Sequence, residues 1–269
     1  MTKEKNYSIE RKLFLRKVKQ ESAFVLVMRL SVLAIFLVLW EVLANLNIID
    51  PFISSSPSRI VNTTITLFKE NQLTYHICIT LYETIAGFLI AIILGYIIAL
   101  ALWWSERLRR VFEPYLVILN SLPKIALGPI IIVWCGSGTK AIIFMAMLIG
   151  IIVCIITMLN GFLATDKDKI LLLKSMGANK FQILIKLVVP GSYPTLISML
   201  KISVGLSWVG AIMGEYLVSR AGLGYLIVYG GQVFKLDLVM SATVVLCLLA
   251  SLMYSTIALL EKLIIKHRD

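Results

Sequence analysis

The sequence predicts an all-α membrane protein with six transmembrane helices and both termini on the cytoplasmic side. Three observations support this fold class. The 269-residue chain is 59% hydrophobic and only 15% charged, and its mean hydropathy of +0.91 is far above that of a soluble domain. It contains six apolar runs long enough to cross a bilayer. Its lysines and arginines also lie mostly on one side of those runs.

Each predicted span follows from length and hydropathy, because crossing the hydrocarbon takes about 20 apolar residues at a rise of about 1.5 Å each. Three runs are free of charge, and three are interrupted by ionisable residues or prolines. The first run is longer than the apolar part of a cleavable signal, and no small-residue cleavage site follows it before Asn45, so we expect it to remain as a span. The six predicted spans are 23–49, 84–104, 114–135, 141–165, 187–214 and 238–260.

The distribution of positive charge sets the orientation. With the N-terminus inside, 18 of the 26 lysines and arginines fall in cytoplasmic segments and five in outer loops. Positive charge is retained on the cytoplasmic side, so both termini are predicted to be cytoplasmic. We expect one transmembrane domain over 1–269, with a cytoplasmic N-terminal segment at 1–22. The net charge of +11 lies beside spans, where anionic lipid is a better partner than nucleic acid.

Motifs of enzymatic chemistry are missing from the sequence. It has no phosphate-binding G-x-x-x-x-G-K-[ST] loop, no H-E-x-x-H pair and no nucleophile elbow, so no catalytic site is predicted. The two histidines, His76 and His267, are expected to be interfacial. The four cysteines lie in or beside apolar runs without metal-type spacing, so neither a disulfide nor a metal site is predicted. They are Cys78, Cys135, Cys154 and Cys247.

A self-sufficient secondary transporter, driven by an ion gradient, is the main alternative function. Such a protein would carry its ion on ionisable groups near the middle of the bilayer. Glu41 and Glu83 are predicted at the outer ends of spans, partly hydrated, and Lys201 is expected to snorkel to the inner surface. Only Lys124 falls near mid-span. It has no carboxylate partner in the sequence nearby, which weakens this alternative.

The third predicted span contains the segment NSLPKIALGP at 120–129. Each proline removes a backbone donor and crowds the carbonyl four residues back, so the helix should kink or open here. Backbone groups freed in this way must face protein or water, which a translocation pathway would provide. A packing kink with a snorkelling lysine is the alternative. The predicted pathway residues are Asn120, Ser121, Pro123, Lys124, Gly128 and Pro129.

The fifth predicted span carries small residues at four-residue spacing. Such residues let helix backbones approach closely in lipid. Ser203, Ser207 and Gly210 are therefore predicted to line the pathway, at the bundle centre or at a subunit interface. Helix packing within one subunit is the alternative.

The segment between spans four and five, 166–190, predicts a cytoplasmic hairpin of helix, tight turn and helix. Acidic residues at the start and Gly177 at the end bound a short first helix. A second amphipathic piece at 180–189 leads to Pro190. A solvated basic loop is the alternative.

This hairpin resembles the cytoplasmic loop of binding-protein-dependent ABC importer permeases. The family pattern is E-A-A, three residues, Gly, nine residues and Ile-x-Leu-Pro. Here Gly177 is followed after nine residues by Leu-Val-Val-Pro, and three leucines at 171–173 replace E-A-A. The segments LPKIALGPIIIVWCGSG and GEYLVSRAGLGYLIVYGGQVFKLDLV are similar to the nitrate, sulfonate and taurine subfamily. The resemblance begins near residue 75 and implies a core permease region at 75–260.

The resemblance implies a bundle like that of type I ABC importer permeases, located in the cell membrane. Two copies of the chain would form a homodimer, two ATP-binding subunits would dock on its cytoplasmic side, and an extracellular substrate-binding protein would deliver the substrate. The substrate would be a small solute of the sulfonate, nitrate, taurine or vitamin-precursor type. ATP and Mg would be bound by the partner ATPase, and no cofactor is expected on this chain.

The resemblance also assigns roles to residues. In the hairpin, Leu172, Leu173 and Met176 would be apolar anchors for the ATPase, and Lys174 and Lys180 charges at the rim. The segment after span five would lie near the outer gate, with Glu215, Gly222 and Gly224. The full predicted coupling set is Asp168, Leu172, Leu173, Lys174, Met176, Gly177, Ala178, Asn179, Lys180 and Pro190.

Overall fold

The structure is a computed structural model that describes residues 9–70 and 72–265. All regular structure in those ranges is helical, and no strand occurs among the described residues. This confirms the predicted fold class. The chain divides into two compact units, with the boundary after Thr63. His267 lies outside the described residues, as do the ends of the predicted terminal segments.

The first unit contains α1 (Ile9–Asn45), α2 (Pro51–Ser54) and the start of α3 (Pro57–Lys69). Arg16–Asn45 of α1 is long and apolar enough to cross a membrane. Glu41 near its end accepts hydrogen bonds from the amide nitrogen of Ser58 at 3.0 Å and from its hydroxyl at 2.8 Å. Glu41 therefore satisfies backbone donors at the start of α3, where a carboxylate is favourable.

The second unit contains the end of α3 and ten further α-helices. A 3-10 helix, Lys124–Leu127, precedes α6, and a π-helix, Leu184–Val188, follows α9. The ten helices are α4 (Gln72–Trp104), α5 (Glu106–Ser121), α6 (Gly128–Cys135), α7 (Thr139–Leu163), α8 (Lys167–Ser175), α9 (Lys180–Ile183), α10 (Val189–Gly191), α11 (Tyr193–Val218), α12 (Leu223–Gln232) and α13 (Leu236–Ile265).

Five helices of the described chain are long and apolar enough to span a membrane, and a bent pair brings the number to six. The pair is Glu106–Ser121 with Lys124–Cys135, which are bent by 88°. The bend lies where the sequence predicted a kink, beside Pro123. The predicted start of span five was too early, because the chain at 184–191 still belongs to the hairpin and α11 begins only at Tyr193.

The central helix of the second unit is α7, which packs on α4 along one side and on α11 along another. Small residues make both contacts close. Gly87 of α4 and Gly210 of α11 both lie against Ala146 of α7. Close backbone approach between such residues is a main source of helix association in membranes. The α4–α7–α11 contact therefore holds the unit together.

Apolar side chains form clusters on either side of these contacts. Phe162, Val188 and Met199 are fully buried in a cluster that includes hairpin residues. Leu223 and Ala242 are fully buried in a second cluster, formed by α4, α11, α12 and α13. The hairpin is thus packed against the spanning helices through its own apolar side chains.

Candidate functional site

The hairpin is bounded by specific backbone and side-chain hydrogen bonds. The Asp166 carboxylate accepts from the amide of Asp168 at 2.9 Å and caps the start of α8. At the end of α8, Gly177 has φ +82°. The Gly177 amide donates to the Lys174 carbonyl, and the Ala178 amide to the Leu173 carbonyl, both at 2.9 Å. This is the helix termination that favours glycine.

The second half of the hairpin begins with a reciprocal cap. The backbone amide of Gln182 donates to Asn179 Oδ1 at 2.8 Å, and the backbone amide of Asn179 donates to Gln182 Oε1 at 2.9 Å. This capping box fixes the start of α9. The predicted helix, turn and helix are therefore present, with Gly177 and Asn179 in the turn.

The first helix of the hairpin has an inward and an outward apolar face. Ile170, Leu173 and Ala178 pack against the apolar cluster of the bundle. Leu171, Leu172 and Met176 are instead 66%, 60% and 73% exposed. We call these three side chains the hairpin patch. Polar and charged neighbours, including Asp168 and Lys174, are also exposed.

Two of the predicted hairpin assignments need correction. Leu173, predicted as an apolar anchor, packs inward because it lies one helical turn from Ile170 on the face that meets the bundle. Leu171 takes its place on the outward face and was missed. Its helical phase relative to Ile170 and Leu173 was the available signal.

Lys180, predicted as a rim charge, instead connects the hairpin to the end of α4. Its Nζ donates to the Trp104 carbonyl and lies 5.6 Å and 5.3 Å from the ring centroids of Trp103 and Trp104. A lysine ammonium at these distances interacts favourably with an indole ring. It also meets a carbonyl at the negative end of a 33-residue helix.

Pro190 lies in α10, directly after the π-helix Leu184–Val188. A proline inside a helix removes a donor and crowds the preceding turn, and a π turn is one way in which the helix absorbs that. Neighbouring Val188 is fully buried and Leu187 packs against the same cluster. Pro190 therefore lies where the hairpin rejoins the bundle and is not one of the residues of the hairpin patch.

The broken third span exposes most of its predicted pathway residues. Asn120, Ser121 and Pro123 are exposed, and Lys124 Nζ donates to the Asn120 carbonyl at 3.2 Å. The helix therefore opens where the prolines predicted, and the lysine bonds to one of its carbonyls. Gly128 is different, because it is buried against the side chain of Leu217. The remaining residue of the predicted set, Pro129, is exposed.

The predicted pathway residues of α11 lie in a helix contact within the chain. Ser203 and Ser207 are fully buried, and the Ser203 hydroxyl lies 3.0 Å from the Cys154 thiol of α7. A Cβ at Gly210 would lie 2.5 Å from the Cα of Ala146. These contacts favour the alternative of helix packing within one subunit for all three residues.

Among the ionisable residues considered for secondary transport, Lys201 has a defined partner. Its Nζ lies 2.5 Å from Glu261 Oε2 of α13. The sequence predicted that Lys201 would snorkel toward the inner surface, and its ion pair with Glu261 near the end of α13 agrees with that direction. Glu83 was expected to be partly hydrated, but it is only 1% exposed. The reason is that α11 and the start of α12 cover this part of α4.

The predicted outer-gate residues are brought together at the start of α12. The Glu215 carboxylate accepts from the Gly224 amide at 2.5 Å. Two side chains of α4 accept from the preceding amides: His76 Nδ1 from Gly222 and Thr80 Oγ1 from Leu223, both at 2.8 Å. Three consecutive amides at a helix start, which have no partner within the helix, are thus satisfied by α4 and α11.

Glu83 completes this group, and its side chain contacts that of Glu215. We call His76, Thr80, Glu83 and Glu215 the polar cluster. Of these four residues only Glu215 was predicted as a site residue, because the other three belong to α4 and meet Glu215 only in the folded structure. A cavity of about 450 Å³ lies beside the polar cluster, and its lining includes Tyr75, Tyr82, Glu83, Thr139 and Arg220.

The two regions lie near opposite ends of α4. Glu83 precedes Trp104, the contact of Lys180, by 21 residues, which corresponds to about 30 Å along a helix. A spanning bundle with an exposed apolar hairpin patch at one end and a buried polar cluster toward the other is the arrangement expected of the membrane component of a transporter.

The chain belongs to the family of binding-protein-dependent transport system inner membrane components, whose family model matches residues 91–266. It is the membrane permease of an ABC importer.

Known relatives agree with this assignment. The chain is 32% identical over 232 residues to the formylaminopyrimidine transport permease protein ThiX of Halalkalibacterium halodurans, covering 86% of this chain and 92% of that one. It is 25% identical to the putative aliphatic sulfonates transport permease protein SsuC of Bacillus subtilis, over 88% of this chain and 86% of that one. It is 23% identical to the taurine transport system permease protein TauC of Escherichia coli, over 83% of each.

The fold is also similar to a solved structure. A chain of the MetNI methionine ABC transporter, in an inward-facing conformation, superposes with a TM-score of 0.63 at 21% sequence identity. The match covers 70% of this chain and 94% of that one. At this level of identity the similarity supports the type I importer permease fold.

Proposed function

We propose that the hairpin patch is the surface on which a separate ATPase subunit docks. Leu171, Leu172 and Met176 carry this proposal, because they are three large apolar side chains exposed together on a charged hairpin. An apolar helix face in a polar setting suits a helix-in-groove contact. ATP and Mg²⁺ are bound by that ATPase, and this chain contributes no nucleotide site.

We expect the hairpin to move as a rigid unit, so that a displacement of the hairpin patch is passed on to the spanning helices. Its two helices are joined by a capped turn, and its inward face packs into the bundle through Ile170 and Leu173. Lys180 adds a direct contact to the end of α4. A push on the hairpin patch would therefore move the ends of the spanning helices and shift the equilibrium between inward-open and outward-open states.

Two copies of the chain form the translocation pathway. Asn120, Ser121 and Pro123 support this part of the proposal, because they lie where the helix opens and are exposed in the described chain, while Lys124 beside them is half-buried. Non-helical backbone at membrane depth needs protein or water beside it. A second copy packed around a central path would supply both.

The proposed substrate is a small solute of the sulfonate, nitrate, taurine or vitamin-precursor type, delivered by an extracellular binding protein. The family is named for its dependence on binding proteins. Relatives carry the names of formylaminopyrimidine, sulfonate and taurine permeases.

Reconstitution in proteoliposomes tests this function. The purified permease is combined with its ATPase and binding protein, and uptake of a radiolabelled candidate solute is followed with and without ATP. We expect uptake only when all components and ATP are present. Uptake driven by an ion gradient alone, with no ATPase, would contradict the proposal and favour a secondary transporter.

A further inference from the structure

We infer that Glu83 and Glu215 bind one proton between them, so that the buried pair is a carboxylic acid hydrogen-bonded to a carboxylate. This inference does not depend on the identity of the solute or on ATPase docking. It concerns the polar cluster in the arrangement described above, with both glutamates buried.

The first observation is burial of both acids without a cation. Each glutamate is 1% exposed. Among the described residues, no lysine or arginine forms an ion pair with either carboxyl group. Arg220, beside the same cavity, is exposed. Two adjacent carboxylates in such a place cannot both remain ionised without a large cost.

The second observation is a missing donor. The two glutamate side chains contact each other, but Glu83 Oε2 and Glu215 Oε1 have no hydrogen-bond partner. Buried polar atoms are almost always satisfied. Two ionised carboxylates offer only acceptors, whereas a proton on one of them supplies an O–H donor to the other. A single proton thus relieves the charge repulsion and the unmade hydrogen bond together.

Among the described residues, no cationic side chain beside the two glutamates takes the place of the proton. His76 uses Nδ1 as an acceptor for the Gly222 amide, so in this arrangement the ring is not the doubly protonated cation. The nearby tyrosines, Tyr82, Tyr216 and Tyr225, have hydroxyl groups, which cannot supply a positive charge. Lys140 on α7 is exposed and has no ion pair to the glutamates among the described contacts.

The bound proton holds the start of α12 in place. Glu215 fills the space beside Gly222 and Gly224, where a Cβ at Gly224 would lie 2.8 Å from Glu215 Oε2. If the proton is lost, repulsion between the carboxylates works against this packing. Glu83 lines the cavity, which gives the pair a route for proton exchange.

Infrared spectroscopy of the full-length permease tests the inference. Spectra are recorded in detergent at about pH 8, where ordinary glutamates are ionised. We expect the carbonyl band of a protonated carboxylic acid, shifted by exchange into D2O. The band should disappear in Glu83→Gln, whose amide can donate to an ionised Glu215. It should persist in the control Glu41→Gln, because Glu41 already accepts from Ser58.

Absence of the acid band in the wild type, or its retention in Glu83→Gln, would overturn the inference.

Discussion

Lys180 joins two parts of the molecule that are 76 positions apart in the chain. Its ammonium group donates to the Trp104 carbonyl and lies over two indole rings. An exposed cation–π contact contributes about 0.5–1 kcal/mol, too little to decide whether the chain folds. Its expected role is in coupling, because it lies between the hairpin and α4 and any movement of the hairpin would act on this contact.

Replacing Lys180 by Met should therefore affect coupling more than stability. We expect Lys180→Met to lower solute uptake per ATP hydrolysed several-fold, with a small change in the thermal midpoint. The comparison is Lys180→Arg, which keeps the charge and stacks on aromatic rings. Uptake and ATP hydrolysis are measured together in proteoliposomes. An unchanged ratio of uptake to ATP hydrolysis in Lys180→Met would show that this contact is not needed for coupling.

Gly210 should be the glycine of α11 that tolerates a side chain least. A Cβ there would lie 2.5 Å from the Cα of Ala146, so Gly210→Ala must move a helix backbone. We expect a loss of about 1–3 kcal/mol, seen as a lower thermal midpoint in detergent. Gly205 of the same helix is the matched control, because a Cβ added there would meet no atom within 4 Å. Gly205→Ala should be neutral or slightly stabilising; equal effects of the two would refute the packing account.

The hairpin shows how far an element could be predicted from sequence. Its helix, turn and helix follow from Asp166, Gly177 and Asn179, whose capping roles are local and depend on neighbours in the chain. The bend of the third span was predictable for the same reason, from proline chemistry. The burial of Leu173 and the contacts of Lys180 were not, because they depend on which helices the hairpin meets in three dimensions.

The turn of the hairpin should require a residue that accepts positive φ. Gly177 has φ +82° and open space around it, so the penalty for a side chain is conformational and not steric. Asparagine tolerates this region, while β-branched residues and proline do not. We expect Gly177→Asn to retain transport, and Gly177→Val or Gly177→Pro to uncouple ATP hydrolysis from uptake while the protein remains membrane-inserted. Full uptake in both disruptive variants would argue against a rigid hairpin.

At the level of the whole molecule, the number of spans and the helical class follow from hydropathy and charge. The meeting of α4 with α11 and α12 could not be predicted, because Glu83 and Glu215 are 132 positions apart and no local pattern pairs them. The same holds for Lys201 with Glu261. Local chemistry specified the elements, and long-range packing determined which polar residues form a cluster.

The hairpin and the polar cluster are two separate regions of the permease. The hairpin contacts one end of α4 through Lys180 and Trp104, and the polar cluster lies toward the other end. Glu83 and Trp104 are about 30 Å apart along that helix. The α4–α7–α11 contact between them is made by small residues packed backbone to backbone. If the ATPase docks as proposed, a force applied at the hairpin patch would reach the polar cluster through this contact.

Retention of the ATPase by the permease tests the central claim most directly. The ATPase is co-expressed with an affinity-tagged permease, and its yield after purification is compared among wild type, Met176→Leu and Met176→Asp. We predict equal retention by wild type and Met176→Leu, and at least a roughly tenfold loss for Met176→Asp, because a charge would be buried in an apolar contact. Full retention by Met176→Asp, and also by the double variant Leu172→Asp with Met176→Asp, would contradict docking on the hairpin patch.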